Sequence, residues 1–445
     1  MRQKLLLLLF FISCFACYSQ VTSYTDGIIE TEPISQYTDN IQYYFGLSHR
    51  RLDGYKNFNG FDPNTYATEF SKILGKNINK DETPKTYEMM RYLLYEASEA
   101  SLDYYSDMIK CIMGWLYAYV FVEGHPSKYY DLMKVGYAFG EKSVYYGYTF
   151  ESDRYEGMLM ASIMYTLIRY NEDFIEKYNG YKEEFPFEPK QDKIPSTSDF
   201  KSYLFLDGPP DENSYKFVID IHQYIESFNE NETTERGKQV ISDIEYQGDY
   251  QCEIYNGILG IPMSKDITPN IYKLINSTIR PCSHACYATK GKYLRTRPFA
   301  YYNENTLYIP HQSELDPHSS YPSGHSSISW GVGLALSEIA PDKYKSILKR
   351  AYDFGQSRVI GRYHWQSDVN DGRIVASSIF AYLHSTKEYL ELIELAKKEY
   401  QTATSITTLK NTTYNSNGIY SLSGIRLNKE PNKGIFISNG KKKIR

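Results

Sequence analysis

Hydrophobic residues recur every three to four positions along most of the chain, which is the spacing of the buried face of an amphipathic helix. The pattern is clearest over residues 87–107, 110–122, 128–140 and 215–229. Segments in which apolar and polar residues alternate, as in half-buried strands, are nearly absent outside short runs near the C-terminus. The pattern therefore predicts an all-α protein that ends in a short β-like tail.

The first nineteen residues (1–19) have the pattern of a signal peptide. Arg2 and Lys4 precede an apolar run, and Ser19 offers a small residue for cleavage. The run is shorter than the roughly 20 residues of a membrane span, so no transmembrane span is expected. Lipid attachment at Cys14 or Cys17 remains an alternative. We expect export to the periplasm, or to the cell surface if the C-terminal tail directs secretion.

The length of 445 residues favours two domains. Pro186, Pro189 and Pro195 lie among charged and small residues, which predicts a linker at 185–200. The linker divides the chain into an N-terminal helical region (20–184) and a C-terminal helical region (201–400). We call these two regions the N-terminal copy and the C-terminal copy, because their sequences are related.

A shift of the chain by 215 residues aligns the two regions from Trp115 to Ser162 with 16 identities in 48 positions without a gap. Unrelated segments of this composition would share roughly three or four. Further upstream the offset is 185, so the N-terminal copy lacks a segment equivalent to about 290–319. The sequence thus predicts a duplicated helical domain of which one copy has lost a loop.

The last 45 residues differ in character from the rest. Residues 401–417 are rich in Ser, Thr and Asn, which predicts a flexible spacer. Residues 418–445 form two strand-like runs around a glycine turn and end in lysines, and they resemble the sorting module of the type IX secretion route. The alternative is a small β-hairpin tail that carries no address.

Composition limits the partners and metals to be expected. The net charge of −5 argues against a nucleic-acid partner, which favours a basic surface. Four cysteines follow the signal segment: Cys111, Cys252, Cys282 and Cys286. Cys282 and Cys286 lack a second ligand pair at zinc-like spacing, so we expect no metal there. Helix packing, or a disulfide from one of them to Cys252, remains open.

Charged residues of the C-terminal copy are of the types that bind and transfer phosphate. Lys290, Arg297 and Arg358 would neutralise a phosphate dianion, since lysine supplies a point charge and arginine a planar fork of donors. Ser323 and Gly324 precede an apolar helical run, so they are expected at a helix N-terminus, where free N–H groups favour an anion. These five residues are the predicted phosphate-binding set.

Two histidines and an aspartate complete the predicted site. His364 and Asp368 are four residues apart and are expected to share one face of a helix. Asp368 would then fix the imidazole so that its other nitrogen can attack phosphorus. His325 would protonate the leaving oxygen and later activate water. No step requires a metal or another cofactor, because the three cations supply the charge.

Each of these clusters alone has an ordinary explanation, such as a surface ion pair or a solvated basic segment. Their occurrence together and in one copy is far more specific. The N-terminal copy has Lys110 opposite His325, Ser143 opposite Arg358, Thr149 opposite His364 and Asp153 opposite Asp368. It therefore keeps the scaffold and lacks almost all of the predicted chemistry.

The pattern K-x(6)-R-P, P-S-G-H and S-R-x(5)-H-x(3)-D resembles the type 2 phosphatidic acid phosphatase and vanadium haloperoxidase superfamily. Its flanks are similar to the soluble class A bacterial non-specific acid phosphatases over about 206–400. The resemblance implies an all-helical fold, an acidic pH optimum, His364 as nucleophile, Asp368 as its orienting group and His325 as general acid. The added N-terminal copy departs from the family pattern, and we expect it to pack on the C-terminal copy as an intramolecular pseudo-dimer.

The favoured function is an acid phosphatase acting on small phosphate monoesters. A lipid phosphatase and a vanadate-dependent haloperoxidase are alternatives on the same scaffold, and a non-catalytic surface binding protein is an alternative of another class. The absence of a predicted membrane span argues against the lipid enzyme, and the phosphatase-like flanks argue against the haloperoxidase. The intact site argues against a binding protein.

Overall fold

The computed structural model describes residues 63–101, 108–145, 151–194, 200–414, 419–421, 426–427, 429–431, 435–438 and 441–444. Within this part of the chain there are seventeen α-helices and four short strands, so the predicted all-α class with a β-like tail is confirmed. The predicted signal segment at 1–19 lies outside the described residues, and it stays a prediction. None of the described helices has both the length and the apolar character that crossing a bilayer demands.

Six of the helices precede the predicted linker. They are α1 (Asn64–Leu74), α2 (Pro84–Ser101), α3 (Met108–Gly124), α4 (Tyr129–Tyr145), α5 (Glu151–Ile168) and α6 (Glu172–Glu184). The C-terminal region begins with α7 (Tyr215–Glu226), α8 (Glu235–Ser242), α9 (Gly248–Leu259), α10 (Pro269–His284), α11 (Tyr287–Tyr293), α12 (Pro298–Tyr302) and α13 (Ile309–Gln312). It ends with α14 (Gly324–Ile339), α15 (Tyr344–Ile360), α16 (Gln366–Leu383) and α17 (Lys387–Tyr414).

Helix boundaries recur at the offsets seen in the sequence. Adding 215 to the bounds of α4 and α5 gives the bounds of α15 and α16, and the one-turn helix Pro126–Lys128 likewise falls on Pro341–Lys343. Adding 185 to the start of α2 gives the start of α10. The short helices α11, α12 and α13 lie in the segment that has no counterpart in the N-terminal copy.

The two copies share one apolar core. α3 and its counterpart α14 are buried on nearly all sides, as expected for helices that are hydrophobic around their whole circumference. α14 packs on α10, α15 and α16 of its own copy and also on α5 of the N-terminal copy. Trp330 of α14 donates its indole N–H towards Ser162 and Ser377, at 3.3 and 3.1 Å. These two serines are equivalent positions of the two copies.

A buried ion cluster lies where the copies meet. Arg169 of the N-terminal copy pairs with Glu123 of that copy, and its Nε also lies 3.4 Å from Oε1 of Glu338 of the C-terminal copy. Nε2 of His384 lies 2.9 Å from Oε2 of Glu338. Glu123 is equivalent to Glu338, and Arg169 is equivalent to His384. Equivalent residues therefore meet across this contact, as they do at a two-fold axis.

The predicted linker, as far as it is described, lies against both copies. The Glu188 N–H donates to the carbonyl of Gly124 of the N-terminal copy at 2.9 Å. The Lys387 N–H donates to the carbonyl of Gln191 at 2.9 Å, and Lys190 Nζ donates to the carbonyl of His384 at 2.8 Å. Phe185 is buried in the shared core. Residues 195–199 lie outside the described residues.

The predicted flexible spacer at 401–417 is wrong up to Tyr414, because α17 continues to that residue. Serine, threonine and asparagine are typical of irregular backbone, because their side chains compete for backbone hydrogen bonds. Thr402 and Ser405 instead donate to carbonyls four residues earlier, at 2.8 Å in both cases, which satisfies them within a helix.

The tail forms an antiparallel sheet in the order β2-β1-β3-β4. The strands are β1 (Ile419–Ser421), β2 (Arg426–Leu427), β3 (Ile435–Ser438) and β4 (Lys441–Ile444). The basic C-terminal run therefore pairs as a strand with β3. Cys252, Cys282 and Cys286 are buried and form no disulfide, and Cys111 is buried as well, so of the two alternatives left open for Cys282 and Cys286 the structure shows helix packing.

Candidate active site

The start of α14 forms the floor of the site. Ser323 is the N-cap of this helix and accepts a hydrogen bond from the Ser326 N–H at 3.3 Å, as predicted from its position before an apolar run. The Ser323 N–H donates to the carbonyl of Asp368 at 2.8 Å, which ties the loop to the start of α16. A Cβ atom added to Gly324 would meet nothing within 4 Å. The helix N-terminus therefore faces open space that can hold an anion.

His364 and Asp368 are in contact, but they do not share a helix as predicted. α16 begins only at Gln366, with Trp365 as its N-cap in extended backbone, and His364 lies in the bend before this cap. Asp368 lies in the first turn and accepts from the Trp365 N–H at 2.9 Å, which fixes where the helix starts. Nδ1 of His364 lies 3.3 Å from Oδ2 of Asp368.

Asp368 is held as a carboxylate. Arg295 Nη1 donates to its Oδ1 at 2.6 Å, and Ser320 Oγ donates to Oδ2. Burial raises the pKa of Asp368, but Arg295 and the hydrogen bond with His364 outweigh burial and hold this pKa well below its usual range. A buried carboxylate beside Nδ1 keeps the proton of neutral His364 on that nitrogen, so that Nε2 carries a lone pair.

Arg297 lies on the other side of the His364 ring. Its Nη1 is 3.0 Å from His364 Nε2 and donates to the carbonyl of Tyr363 at 2.8 Å. Burial, and then Arg297, lower the pKa of His364 well below its usual value. The imidazole is therefore neutral at mildly acidic pH, as an attacking nitrogen must be.

Arg358 is fully buried on α15 and is the most incompletely paired charge of the site. Its Nε and Nη1 have no hydrogen-bond partner among the described residues. Its guanidinium lies over the Tyr363 ring, 4.3 Å from the centroid. A buried guanidinium with free donors is costly unless an anion completes it.

Lys290 of α11 completes the positive charge. Its Nζ donates to the carbonyls of Ser319 and Ser320 at 2.7 and 3.1 Å. Burial, and then Arg297, lower the pKa of Lys290 to about 7. The lysine is therefore charged mainly at acidic pH, where it can contribute to binding an anion.

His325 lies in the first turn of α14, with Nε2 3.0 Å from the carbonyl of Ile244. A carbonyl accepts only, so Nε2 carries a proton and Nδ1 is the nitrogen left to exchange one with a ligand. Burial, then Arg358, and further His364 and His311 lower the pKa of His325 well below its usual value. The histidine therefore becomes an acid only at low pH or beside an anion.

Hydrogen bonds connect six of the eight predicted residues, directly or through the Ser319 carbonyl: Lys290, Arg297, Ser323, Arg358, His364 and Asp368. Gly324 and His325 directly follow Ser323 at the start of α14. The structure adds residues that the sequence motifs did not indicate. Arg295 bridges Asp368 and Asp220, and Ser367 donates to Asp220 as well. Arg295 is two residues from Arg297 in the same basic segment, which was the only local signal for it. His311 lies 3.2 Å from Arg358 and gave no signal in the sequence.

In the N-terminal copy, Thr149, opposite His364, lies outside the described residues. Ser143, opposite Arg358, is buried and carries no charge. Within the described residues of both copies, no group of three or more His, Cys, Asp or Glu side chains is placed to hold a metal ion.

The arrangement is chemically that of a phosphate-transfer site. A neutral imidazole nitrogen, a second imidazole and three cations converge beside a helix N-terminus, which suits a tetrahedral dianion. The sequence profile of the PAP2 superfamily matches residues 271–391, which include all eight of these residues. A non-specific acid phosphatase of Providencia stuartii is 40% identical over 200 residues, covering 45% of this chain and 80% of that protein.

The chain belongs to the PAP2 superfamily. Within the superfamily it is related to the bacterial non-specific acid phosphatases. The one from Salmonella typhi is 27% identical over 226 residues, which cover 51% of this chain and 88% of that protein. An acid phosphatase of Zymomonas mobilis is 36% identical over 143 residues, covering 32% of this chain and 54% of that protein. The PAP2 match lies wholly in the C-terminal copy.

Proposed function

We propose that this PAP2 protein is an acid phosphatase that hydrolyses phosphate monoesters through a phosphohistidine on His364. The main support for this proposal is the position of the His364 side chain. It is held between the Asp368 carboxylate and Arg297, beside donors of Arg358 that have no partner among the described residues. Its relatives are named acid phosphatases, which supports the reaction class.

In the first step the phosphate group of the substrate binds Lys290, Arg297, Arg358 and the helix N-terminus at Ser323 and Gly324. Arg297 turns its Nη1 from His364 Nε2 to a phosphate oxygen. Nε2 attacks phosphorus, the P–O bond to the leaving group breaks, and His325 gives its Nδ1 proton to the leaving oxygen. Asp368 stabilises the positive charge that develops on His364.

In the second step water replaces the alcohol. Neutral His325 removes a proton from this water, whose oxygen attacks phosphorus as the P–N bond to His364 breaks. Inorganic phosphate leaves and His325 is again protonated. The cations supply the charge stabilisation throughout, so no metal enters the proposed cycle.

An assay of purified protein on a chromogenic phosphate monoester tests this function. We expect turnover with an acidic optimum, no loss on adding a chelator, and inhibition by vanadate, which mimics the five-coordinate phosphorus. Halide oxidation in the presence of vanadate and peroxide, with no phosphate release in its absence, would instead identify a haloperoxidase.

We also propose that the two copies form an intramolecular pseudo-dimer. The meeting of equivalent residues supports it, as does the hydrogen bond of 2.8 Å from Tyr129 of the N-terminal copy to Ser378 of the C-terminal copy. The N-terminal copy then acts as a non-catalytic partner that completes the core. Export of the protein, by a signal peptide at 1–19 and with a sorting role for 418–445, remains part of the proposal.

A further inference from the structure

A third histidine lies beside the phosphate-binding residues. His311 belongs to α13, in the segment that has no counterpart in the N-terminal copy, and only 8% of its surface is exposed. Its ring packs edge-on against Tyr363, with centroids 5.0 Å apart. The same Tyr363 ring carries the Arg358 guanidinium on its face.

The hydrogen bonds of His311 define its protonation. Nε2 lies 3.2 Å from Arg358 Nη2, and Nδ1 lies 3.1 Å from Oε2 of Glu314. A guanidinium can only donate, so Nε2 must be the unprotonated, accepting nitrogen. The proton of the neutral ring is then on Nδ1 and is donated to the Glu314 carboxylate.

This contact leaves a defined part of Arg358 for a ligand. One of the two N–H groups of Nη2 is directed to His311, and the Tyr363 ring covers one face of the guanidinium. Nε and Nη1 are the donors without a partner among the described residues. Because a guanidinium is planar and rigid, fixing one nitrogen and one face sets the direction of the remaining N–H groups.

We propose that His311 is a positioning residue that orients Arg358 for the phosphate group, with Glu314 fixing the tautomer of His311. The proposal rests on the proposed phosphatase function, because it assigns to Arg358 the role of phosphate ligand. His311 itself does not touch the substrate. Removal of the His311 side chain should weaken phosphate binding, because the N–H donors of Arg358 would no longer be held in a fixed direction.

The test uses the full-length protein and compares His311→Ala, His311→Gln and Glu314→Gln. His318→Gln is the matched control, because His318 lies on the same segment and is exposed, and its imidazole contacts the hydroxyl of Thr296 and none of the site residues. Binding of inorganic phosphate is measured by calorimetry, which needs no turnover. KM and kcat for 4-nitrophenyl phosphate are measured in parallel, and circular dichroism checks folding.

We expect His311→Ala to weaken phosphate binding by about tenfold and to raise KM more than it lowers kcat, since one preset donor is lost. The glutamine side chain can accept from Nη2, so His311→Gln should restore most of the affinity. Glu314→Gln should have a smaller effect in the same direction, and His318→Gln should stay within twofold of the native protein.

Phosphate affinity in His311→Ala equal to that of the native protein would overturn the proposal, and so would a folded His311→Gln that is as impaired as the alanine variant. If the alanine variant does not fold, the phosphate affinities of His311→Gln, Glu314→Gln and the control His318→Gln are compared instead. A His311→Gln affinity well below that of the control would then overturn the proposal. Failure of the native protein to hydrolyse any monoester while binding phosphate would count against the proposed function alone, since the binding comparison stands without turnover.

Discussion

At the residue scale, the site depends on the protonation of two buried groups, His364 and Asp368. His364 is kept neutral by burial and Arg297, whereas Asp368 is kept charged by Arg295 and the hydrogen bond with His364. The two pKa values are lowered together, so the pair presents a neutral imidazole next to a carboxylate. This is the combination that a nucleophilic histidine requires.

Replacement of His364 by alanine should abolish turnover while leaving the fold intact. Loss of the nucleophile is expected to lower kcat by at least about 10³-fold, the scale seen when a catalytic side chain is removed. Steady-state kinetics with a monoester check this, and calorimetry with inorganic phosphate should still detect binding through Arg358 and Lys290. Activity within tenfold of the native protein would exclude His364 as nucleophile.

The pH dependence should be confined to the acidic side. The pKa of Lys290 is lowered to about 7, so Lys290 is charged below pH 7 and loses its charge above it. Burial and Arg358 lower the pKa of His325 well below its usual value, so His325 is an acid only at low pH. We therefore expect KM to rise as the pH rises through about 7. We also expect kcat/KM to fall on both sides of an acidic optimum, because the first step requires a neutral His364 and a protonated His325. A profile that is flat from pH 5 to 8 would contradict these assignments.

The eight candidate site residues could be proposed from the sequence because each lies in a local motif whose spacing indicates chemistry. Arg295 and His311 were not, because their roles come from contacts with Asp368 and Arg358 that are 73 and 47 residues away in the sequence. Such contacts depend on how the short helices fold over the site. A local pattern does not contain that information.

At the element scale, the N-terminus of α14 combines structural and functional tasks. Ser323 caps the helix with its side chain and presents the following N–H groups to the open space beside Gly324. The sequence located this helix start, because a serine preceded an apolar run. It misplaced the start of α16, because the spacing of His364 and Asp368 is also that of neighbours in a helix.

Removal of the cap should be measurable as a change in stability. Ser323→Ala is expected to lower the free energy of unfolding by about 1 kcal/mol, because the Ser326 N–H loses its acceptor. Ser323→Gly is the matched comparison and should cost only a few tenths of that energy, ~0.3 kcal/mol, since glycine is tolerated at this position. Urea denaturation of both variants checks the difference. Equal stability of the alanine variant and the native protein would show that the cap contributes nothing.

At the scale of the whole molecule, the two copies bury one another. Residues of the N-terminal copy, including Ser162 and Arg169, satisfy buried polar groups of α14 and of the C-terminal copy. The sequence repeat predicted two related sets of helices, and the helix bounds agree with it. The pairing of equivalent residues at the contact could not be predicted, because two related domains on a linker can pack or stay apart with the same repeat.

A fragment of residues 201–400 should therefore be unstable on its own. Without the N-terminal copy, Glu338 loses Arg169 and the shared core is opened to water, so we expect aggregation or loss of cooperative unfolding. The full-length chain should behave as a monomer in size-exclusion chromatography with light scattering. A soluble fragment with full activity would refute the pseudo-dimer.

The central claim is that the reaction passes through a phosphohistidine on His364, and trapping this intermediate tests the claim directly. Rapid acid-free quenching of the native protein with a ³²P-labelled monoester, followed by peptide mapping, should give a phosphorylated peptide whose label is lost in acid and kept in alkali, as for a P–N bond. The label should lie on His364 and should be missing from His364→Ala. Turnover with a label on another residue, or with overall inversion at phosphorus in a chiral substrate, would contradict the account.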